Sequence, residues 1–109
     1  MTDQLDEIAQ GYVEEINKDY VGLWQIVLRV RRELGIVERA QLKNVVQKIV
    51  RKMLDAGLEP VALSISDPVR LSWKNQNVEY VIDRISREWD LLGRDPYPGE
   101  IAWFDRKRS

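Results

Sequence analysis

Six carboxylate residues in the second half of the sequence are the first candidates for chemistry. They are Glu79, Asp83, Glu88, Asp90, Asp95 and Glu100. Two carboxyl groups can divide the roles of general acid and general base when burial separates their pKa values. The spacing of Asp83 to Arg87 is, however, that of an ion pair on an exposed helix. No phosphate-binding glycine loop, nucleophile elbow or metal-binding loop accompanies the six residues, so we expect a protein without catalytic activity.

Two residue types that dominate catalysis and metal binding are missing from the sequence. It contains no cysteine and no histidine. There is therefore no thiol nucleophile, no thiolate ligand and no imidazole that could act as a base or bind a transition metal. We expect neither a cofactor nor a bound metal.

Charge is distributed unevenly along the 109 residues, although the formal net charge is only −1. Residues 1–20 carry six acids and one lysine, residues 29–52 carry eight bases and two acids, and residues 53–105 carry ten acids and five bases. A basic centre between acidic flanks indicates a charged surface that attracts a partner.

The basic centre includes a predicted third helix, which has five bases and no acid from residue 39 to residue 54. Together with a hairpin that follows it, this helix predicts one candidate interaction surface. Its residues are Arg39, Lys43, Asn44, Gln47, Lys48, Arg51, Lys52, Arg70 and Lys74.

Two kinds of partner fit this candidate surface. Two helices, a basic helix and a hairpin follow one another as in a winged helix-turn-helix, whose third helix enters the major groove of DNA. Asn44 and Gln47 are able to read adenine, and Arg51 guanine. The other partner is a protein, and a solvated helix face that pairs with the acidic first helix is also open. The acidic flanks favour the solvated helix face over DNA binding.

Aromatic residues supply candidate anchors for a protein partner. Trp24 and Trp89 lie on apolar helix stripes, and we expect both to pack in the core. Tyr97 stands between two prolines in a predicted loop, and we expect it to be an exposed anchor.

Helical spacing of apolar residues predicts four helices that position these side chains. They cover residues 4–17, 20–34, 38–56 and 78–92. Asp19 is the predicted N-cap of the second helix, and Asn75 or Asn77 that of the fourth. Gly35 and Gly93 are predicted to end the second and fourth helices.

After Gly57 the apolar period changes from that of a helix to that of a strand. Val61, Leu63 and Ile65 alternate with small residues, and Leu71 and Trp73 follow a predicted turn at Asp67–Pro68. These two alternating runs predict a hairpin.

The stretch LGRDPYPGEIAWF, residues 92–104, predicts the closure of the sheet. Pro98 and Gly99 suit the second and third positions of a type II turn. Residues 101–104 are apolar on both faces, which predicts a strand covered on both sides, with Trp103 in the core. A basic tail over residues 106–109 is predicted to be flexible and solvated.

DYVGLW at residues 19–24, taken with LGRDPYPGEIAWF, resembles a pattern found in small bacterial proteins of uncharacterised function. The resemblance covers residues 19–104 and leaves the first helix outside. It implies a self-contained bacterial domain and assigns no catalytic or binding residue.

The sequence as a whole predicts a single α+β domain over residues 1–109, with residues 1–18 as a peripheral helix. No apolar run is long enough for a membrane span. We expect a cytoplasmic protein-interaction module of regulatory, adaptor or immunity type, without enzymatic activity. DNA binding through residues 39–54 is the alternative.

Overall fold

The computed structural model describes residues 4–16, 19–63 and 70–107. The elements in this part of the chain are α1 (Gln4–Glu15), β1 (Val21–Gly22), α2 (Leu23–Leu34), α3 (Arg39–Asp55), β2 (Leu58–Leu63), β3 (Arg70–Ser72), α4 (Val78–Leu92) and β4 (Trp103–Arg106). Four helices and a four-stranded antiparallel sheet are therefore described, which confirms the predicted α+β class.

Helices α2 and α4 end where the sequence predicts. Gly35 follows α2 with φ of +64°, and Gly93 follows α4 with φ of +67°. Glycine adopts this left-handed conformation without the steric penalty of a side chain. At the start of α4, the side chain of Asn77 accepts a hydrogen bond of 3.1 Å from the backbone N–H of Tyr80. Of the two predicted caps, Asn77 is the one that the helix uses.

The start of α2 differs from the prediction. Asp19 does not cap this helix, because the short strand β1 separates them, and its carboxylate accepts a hydrogen bond from the N–H of Tyr20 instead. The helix begins after Gly22, whose N–H donates to the side-chain oxygen of Gln25 at 2.7 Å. This bond is the reciprocal half of a capping box.

Strand β4 lies inside the sheet, which has the order β1-β4-β2-β3. Phe104 is opposite Val21 on one side and opposite Pro60 on the other. The C-terminal strand therefore joins β1 to β2, and the predicted closure of the sheet by this stretch is confirmed.

The predicted burial of the closing strand on both faces is wrong. Ile101 has a positive φ of +69° and precedes the strand, which covers residues 103–106. Ala102 and Phe104 are buried, whereas Trp103 is half-buried and not a core residue as predicted. Alternate side chains of a strand point to opposite faces, and one face of β4 is left partly open. The strand includes Arg106, so the predicted tail does not start there; residues 108 and 109 lie outside the described residues.

Strand β2 starts earlier than the alternating pattern predicts. Its first four residues, 58–61, are all buried. Pro60 lies in an interior strand, where proline is rare because it donates no ladder hydrogen bond. The predicted hairpin is confirmed by the pairing of Val61 with Ser72. Ile65 and the predicted turn at Asp67–Pro68 lie outside the described residues.

Helix α3 lies at the centre of the packing and contacts α1, α2, α4 and β2. Its buried residues are Leu42, Val46, Ile49, Val50 and Met53. Helix α1 packs against α3 and buries Ile8, Ala9 and Tyr12, so residues 4–15 are part of the core. None of the helices in the described ranges is long and apolar enough to cross a membrane.

Candidate docking surface on helix α2

Two clefts lie along the outer side of α2 and share Trp24 and Leu28 as a common wall. The first, here called the proline cleft, has a volume of about 290 Å³ and lies between α2 and Pro96, Tyr97 and Pro98. The second, the arginine cleft, has a volume of about 570 Å³ and is lined by Arg29, Arg32 and Glu33. We call the two together the α2 groove.

The loop that forms the outer wall of the proline cleft is held by the side chain of Arg94. Its guanidinium donates two hydrogen bonds to the carboxylate of Glu100, at 2.6 and 2.9 Å, and a third to the backbone oxygen of Asp95. The same guanidinium stacks 3.6 Å from the ring centroid of Tyr97. The backbone N–H of Tyr97 also donates to Glu100, at 2.6 Å.

This hydrogen bonding changes the acidity of Glu100. The Arg94 guanidinium, followed by the N–H of Tyr97, lowers the pKa of Glu100 to about 2.

A type II turn lies in the same loop, as predicted, since the N–H of Glu100 donates to the oxygen of Tyr97 at 3.0 Å and Gly99 has φ of +87°. The loop is therefore held by hydrogen bonds among its own residues.

Arg31 joins the loop to α2 at the base of the proline cleft. It donates to both carboxylate oxygens of Asp95, at 2.5 and 3.2 Å, and to the backbone oxygens of Ile36 and Val37. Hydrogen bonding to Asp95 raises the pKa of Arg31 above its usual value. Because both charged groups bond to each other, the rest of the cleft presents apolar surface.

Three apolar side chains give the α2 groove its accessible surface. Leu28 is 47% exposed and Tyr97 is 60% exposed, and Trp24 is half-buried. The indole of Trp24 occupies the space that a side chain at residue 22 would fill. A Cβ atom at Gly22 would lie 2.5 Å from Trp24 Nε1 and 3.3 Å from the Trp103 ring. The absence of a side chain at residue 22 therefore leaves the space that the indole of Trp24 occupies.

No protein-family model, curated protein or solved structure matches this chain. The resemblance to small bacterial proteins stays a prediction. The two stretches that carry it are neighbours in space, however. Gly22 pairs with Trp103 across β1 and β4, and Trp24 lines the proline cleft together with Pro96.

The basic residues predicted as an interaction surface are largely bonded within the chain. Arg39 donates to the backbone oxygen of Gly93. Lys43, whose side chain is 13% exposed, binds Asp90 at 2.5 Å. These contacts tie α3 to α4 and to the glycine that ends it.

Farther along α3, Arg51 binds both carboxylate oxygens of Glu79, and Lys52 forms an ion pair with Asp6 of α1. The sequence left open that the basic face of α3 pairs with the acidic first helix. Among the ion pairs of α3 in the described ranges, that of Lys52 is made with this helix. The ion pairs of Lys43 and Arg51 run to α4, which also packs against α3 and carries carboxylates at the matching positions.

Of the remaining predicted residues, Asn44, Gln47 and Lys48 lie within one turn on α3, whereas Lys74 follows β3. Asn44, Lys48 and Lys74 are exposed, and Gln47 is half-buried. The side chain of Arg70 lies outside the described residues. The structure thus leaves DNA binding by this helix as a prediction, and phosphate contacts by Arg51 or Lys43 would compete with existing ion pairs.

Each of the six carboxylates considered for catalysis is ion-paired. Their partners are Arg51 for Glu79, Arg87 for Asp83, Arg84 for Glu88, Lys43 for Asp90, Arg31 for Asp95 and Arg94 for Glu100. Among the described residues, no group of three or more acidic side chains is placed to hold a metal ion. The pairs of Glu79, Asp90 and Asp95 join different elements, those of Asp83 and Glu88 lie within α4, and that of Glu100 lies within the loop that follows α4.

Sequence reasoning identified Tyr97 as exposed but missed Trp24, Leu28 and Arg32. Trp24 was expected in the core together with Trp89, and Trp89 alone is fully buried. A signal was available: apolar residues 23–30 spread over about 200° of the helix circumference, twice the width that a helix needs to bury one face. The excess width indicates a second apolar stripe on α2.

Proposed function

We propose that this chain is a non-catalytic protein-interaction module and that the α2 groove is its docking surface for a segment of another protein. The observation that carries the proposal is the set of Trp24, Leu28 and Tyr97, whose apolar surface lines clefts instead of packing inside. Tryptophan, tyrosine and arginine are the residues that most often dominate the binding energy of protein interfaces.

The chemistry of the proline cleft supports a protein partner over a small metabolite. Pockets for small molecules range from about 300 to 1,000 Å³ and contain a few polar groups that converge on the ligand. This cleft, at about 290 Å³, is at the lower limit, and the polar groups at its base, Arg31 and Asp95, bond to each other. An apolar side chain from a protein fits such a space and needs no polar partner there.

The fixed loop supports specific docking. Ordering flexible groups at an interface weakens binding by about 0.5–1.5 kcal/mol for each long side chain. Arg94, Glu100 and Tyr97 already hold one another, as do Arg31 and Asp95. Binding in the proline cleft therefore requires little further ordering of this chain.

The proposal includes the absence of catalysis and a cytoplasmic, bacterial setting. Support for the first comes from the ion pairing of all six carboxylates, since a carboxylate bound to a guanidinium or ammonium group is poorly suited to exchanging protons with a substrate. Subcellular fractionation tests the second.

Site-specific photo-crosslinking tests the docking surface. A photoreactive phenylalanine analogue replaces Leu28 in the groove, and in a matched variant it replaces Leu91, which is 86% exposed and lines neither cleft. We expect one protein to be captured at residue 28 in the cells that make this chain, and not at residue 91. The purified partner should then shift the NMR signals of Trp24 and Tyr97.

Equal capture at both positions, or no shift at Trp24 and Tyr97 on adding the captured protein, would show that the groove is not the docking surface. In either case the proposal is wrong. A partner that contacts the exposed residues of α3 would give shifts at Asn44 and Lys48 instead.

DNA binding is tested separately by fluorescence anisotropy with random duplex at low salt. Non-specific binders show dissociation constants of about 10⁻⁴–10⁻⁶ M at physiological salt and bind more tightly below it. We expect no salt-sensitive binding. Micromolar binding that is lost in Lys48→Glu/Arg51→Glu would favour the DNA alternative.

A further inference from the structure

We infer that the segment which docks in the α2 groove is acidic, with a bulky apolar side chain that enters the proline cleft and a carboxylate that binds Arg32. This inference rests on the proposed function and specifies the chemistry of the partner. It follows from the order of residues along α2 and from which charges in the groove are already paired.

Trp24, Leu28 and Arg32 form one stripe along α2. They are spaced four residues apart, so their side chains lie one above another on the same face of the helix. The stripe runs about 12 Å from Trp24 to Arg32 at 1.5 Å per residue. Its first two residues form the common wall of the two clefts, and its third lines the arginine cleft.

Arg32 is the charged residue of the arginine cleft for which the described part of the chain offers no ion-pair partner, and the buried Nε1 of Trp24 has no hydrogen-bond partner there either. Arg29 donates to Glu33 at 3.1 Å and stacks over the ring of Tyr12, 5.3 Å from its centroid. The side-chain oxygen of Gln25 accepts from the N–H of Gly22. Arg32 is exposed and forms no ion pair with another described residue.

The groove therefore combines neutral apolar walls with one unpaired positive charge. Beside it, Glu33 neutralises Arg29, and in the proline cleft Asp95 neutralises Arg31. A carboxylate of the partner, about 6 Å from its apolar anchor, matches the distance of one helical turn between Leu28 and Arg32. In the partner, that distance corresponds to residues i and i+4 of a helix or to i and i+2 of an extended strand.

The experiment uses three synthetic peptides of equal length as probes. The first carries one phenylalanine with glutamates at helical spacing on both sides; the second carries lysines in place of the glutamates; the third carries serine in place of phenylalanine. Binding is followed by fluorescence anisotropy and mapped by amide NMR. We expect the first peptide alone to bind, with shifts at Trp24, Leu28 and Arg32, and more weakly at about 500 mM salt than at about 50 mM.

Two charge-reversal variants test the role of Arg32. Arg32→Glu should weaken binding of the acidic peptide roughly tenfold, because the change removes an attraction and adds a repulsion. Lys48→Glu is the matched control, since it alters net charge equally at an exposed residue that lines neither cleft. It should change binding less than about twofold. Thermal unfolding of both variants confirms that each is folded.

The outcomes separate this inference from the proposed function. If the lysine peptide binds as well as the acidic one, or if Arg32→Glu and Lys48→Glu have equal effects, the acidic partner is wrong, while capture at residue 28 can still support the groove. If no peptide shifts Trp24 or Leu28, the inference is also wrong. Concentration-dependent shifts of the same residues without peptide would show that a second copy of the chain occupies the groove, which would overturn the inference.

Discussion

Replacing Gly22 with alanine tests how the sheet positions the α2 groove. The added Cβ atom would lie 2.5 Å from Nε1 and 2.7 Å from Cδ1 of Trp24. Carbon and nitrogen atoms normally stay about 3.5 Å apart, so the indole has to move by roughly 1 Å. The backbone itself accepts alanine, because Gly22 has φ of −88° and ψ of 147°.

The magnitude follows from two opposing terms. Overpacking of this kind destabilises a protein by about 1–3 kcal/mol, whereas losing a glycine from the unfolded chain stabilises it by about 0.4–1 kcal/mol. We expect Gly22→Ala to lower the free energy of unfolding by about 1–2 kcal/mol, and the melting temperature by roughly 5–15 °C. The shifted indole should also weaken binding in the groove.

Urea denaturation followed by circular dichroism measures the change, and Gly11→Ala provides the matched control. A Cβ at Gly11 of α1 would lie 3.5 Å from Arg29 Nη1, an ordinary contact, and alanine favours a helix interior over glycine by about 0.5–1 kcal/mol. The same substitution should thus stabilise the protein at residue 11 and destabilise it at residue 22. A Gly22→Ala protein at least as stable as the parent, with the indole NMR signal of Trp24 unchanged, would refute the steric argument.

Three further predictions concern the elements around the groove. Phe104→Ala should lower the free energy of unfolding by about 3–5 kcal/mol, because Phe104 is fully buried. Trp103→Ala should lower it by roughly half as much, because that side chain is half-buried. Equal losses of the two variants in urea denaturation would contradict the alternating burial of β4. The low pKa of Glu100, about 2, means that its ionised form stabilises the fold fully above about pH 4.3 and loses this effect as the pH falls towards 2. The difference in melting temperature between the parent and Glu100→Gln should therefore shrink across that window, and a Glu100 carboxyl that titrates near pH 4.3 by NMR would disprove the hydrogen bonding described. Asn77→Ala should cost about 1 kcal/mol through loss of the α4 cap, and an unchanged midpoint in thermal unfolding would show that the cap is unimportant.

Local signals predicted the elements of the fold better than their packing. Gly35, Gly93 and Asn77 mark helix ends through properties of their own backbone or side chain, so one residue carries enough information. The start of β2 was missed because Pro60 weakens the sequence pattern of a strand. The burial of residues 58–61 also depends on pairing with β4, which is more than 40 residues away in the sequence. Burial of both faces was assigned to residues 101–104 from apolar content alone, which does not reveal which faces other elements cover.

The candidate site was only partly predictable for a related reason. The loop around Tyr97 has strong turn residues and a position between two prolines, and its exposure follows from them. Trp24 and Leu28 have the same apolar character as their buried neighbours on α2, so distinguishing them requires knowing how wide a face the core covers. The pairing of Arg51 with Glu79 and of Lys43 with Asp90 was invisible, since it depends on how α3 and α4 are placed side by side.

The interior position of β4 also constrains when the fold can form during synthesis. Strand β1 pairs with β4 and with no other described strand, and β2 needs β4 on one of its two edges. Ribosomes add about 5–20 residues per second, so about 4–16 s pass between the emergence of Gly22 and that of Trp103. For about the last 2–8 s of this interval, between the emergence of Leu63 and that of Trp103, β2 has an unpaired edge that another chain can join. A chaperone that binds the nascent chain would therefore protect this edge until residues 103–106 arrive and pair with both β1 and β2.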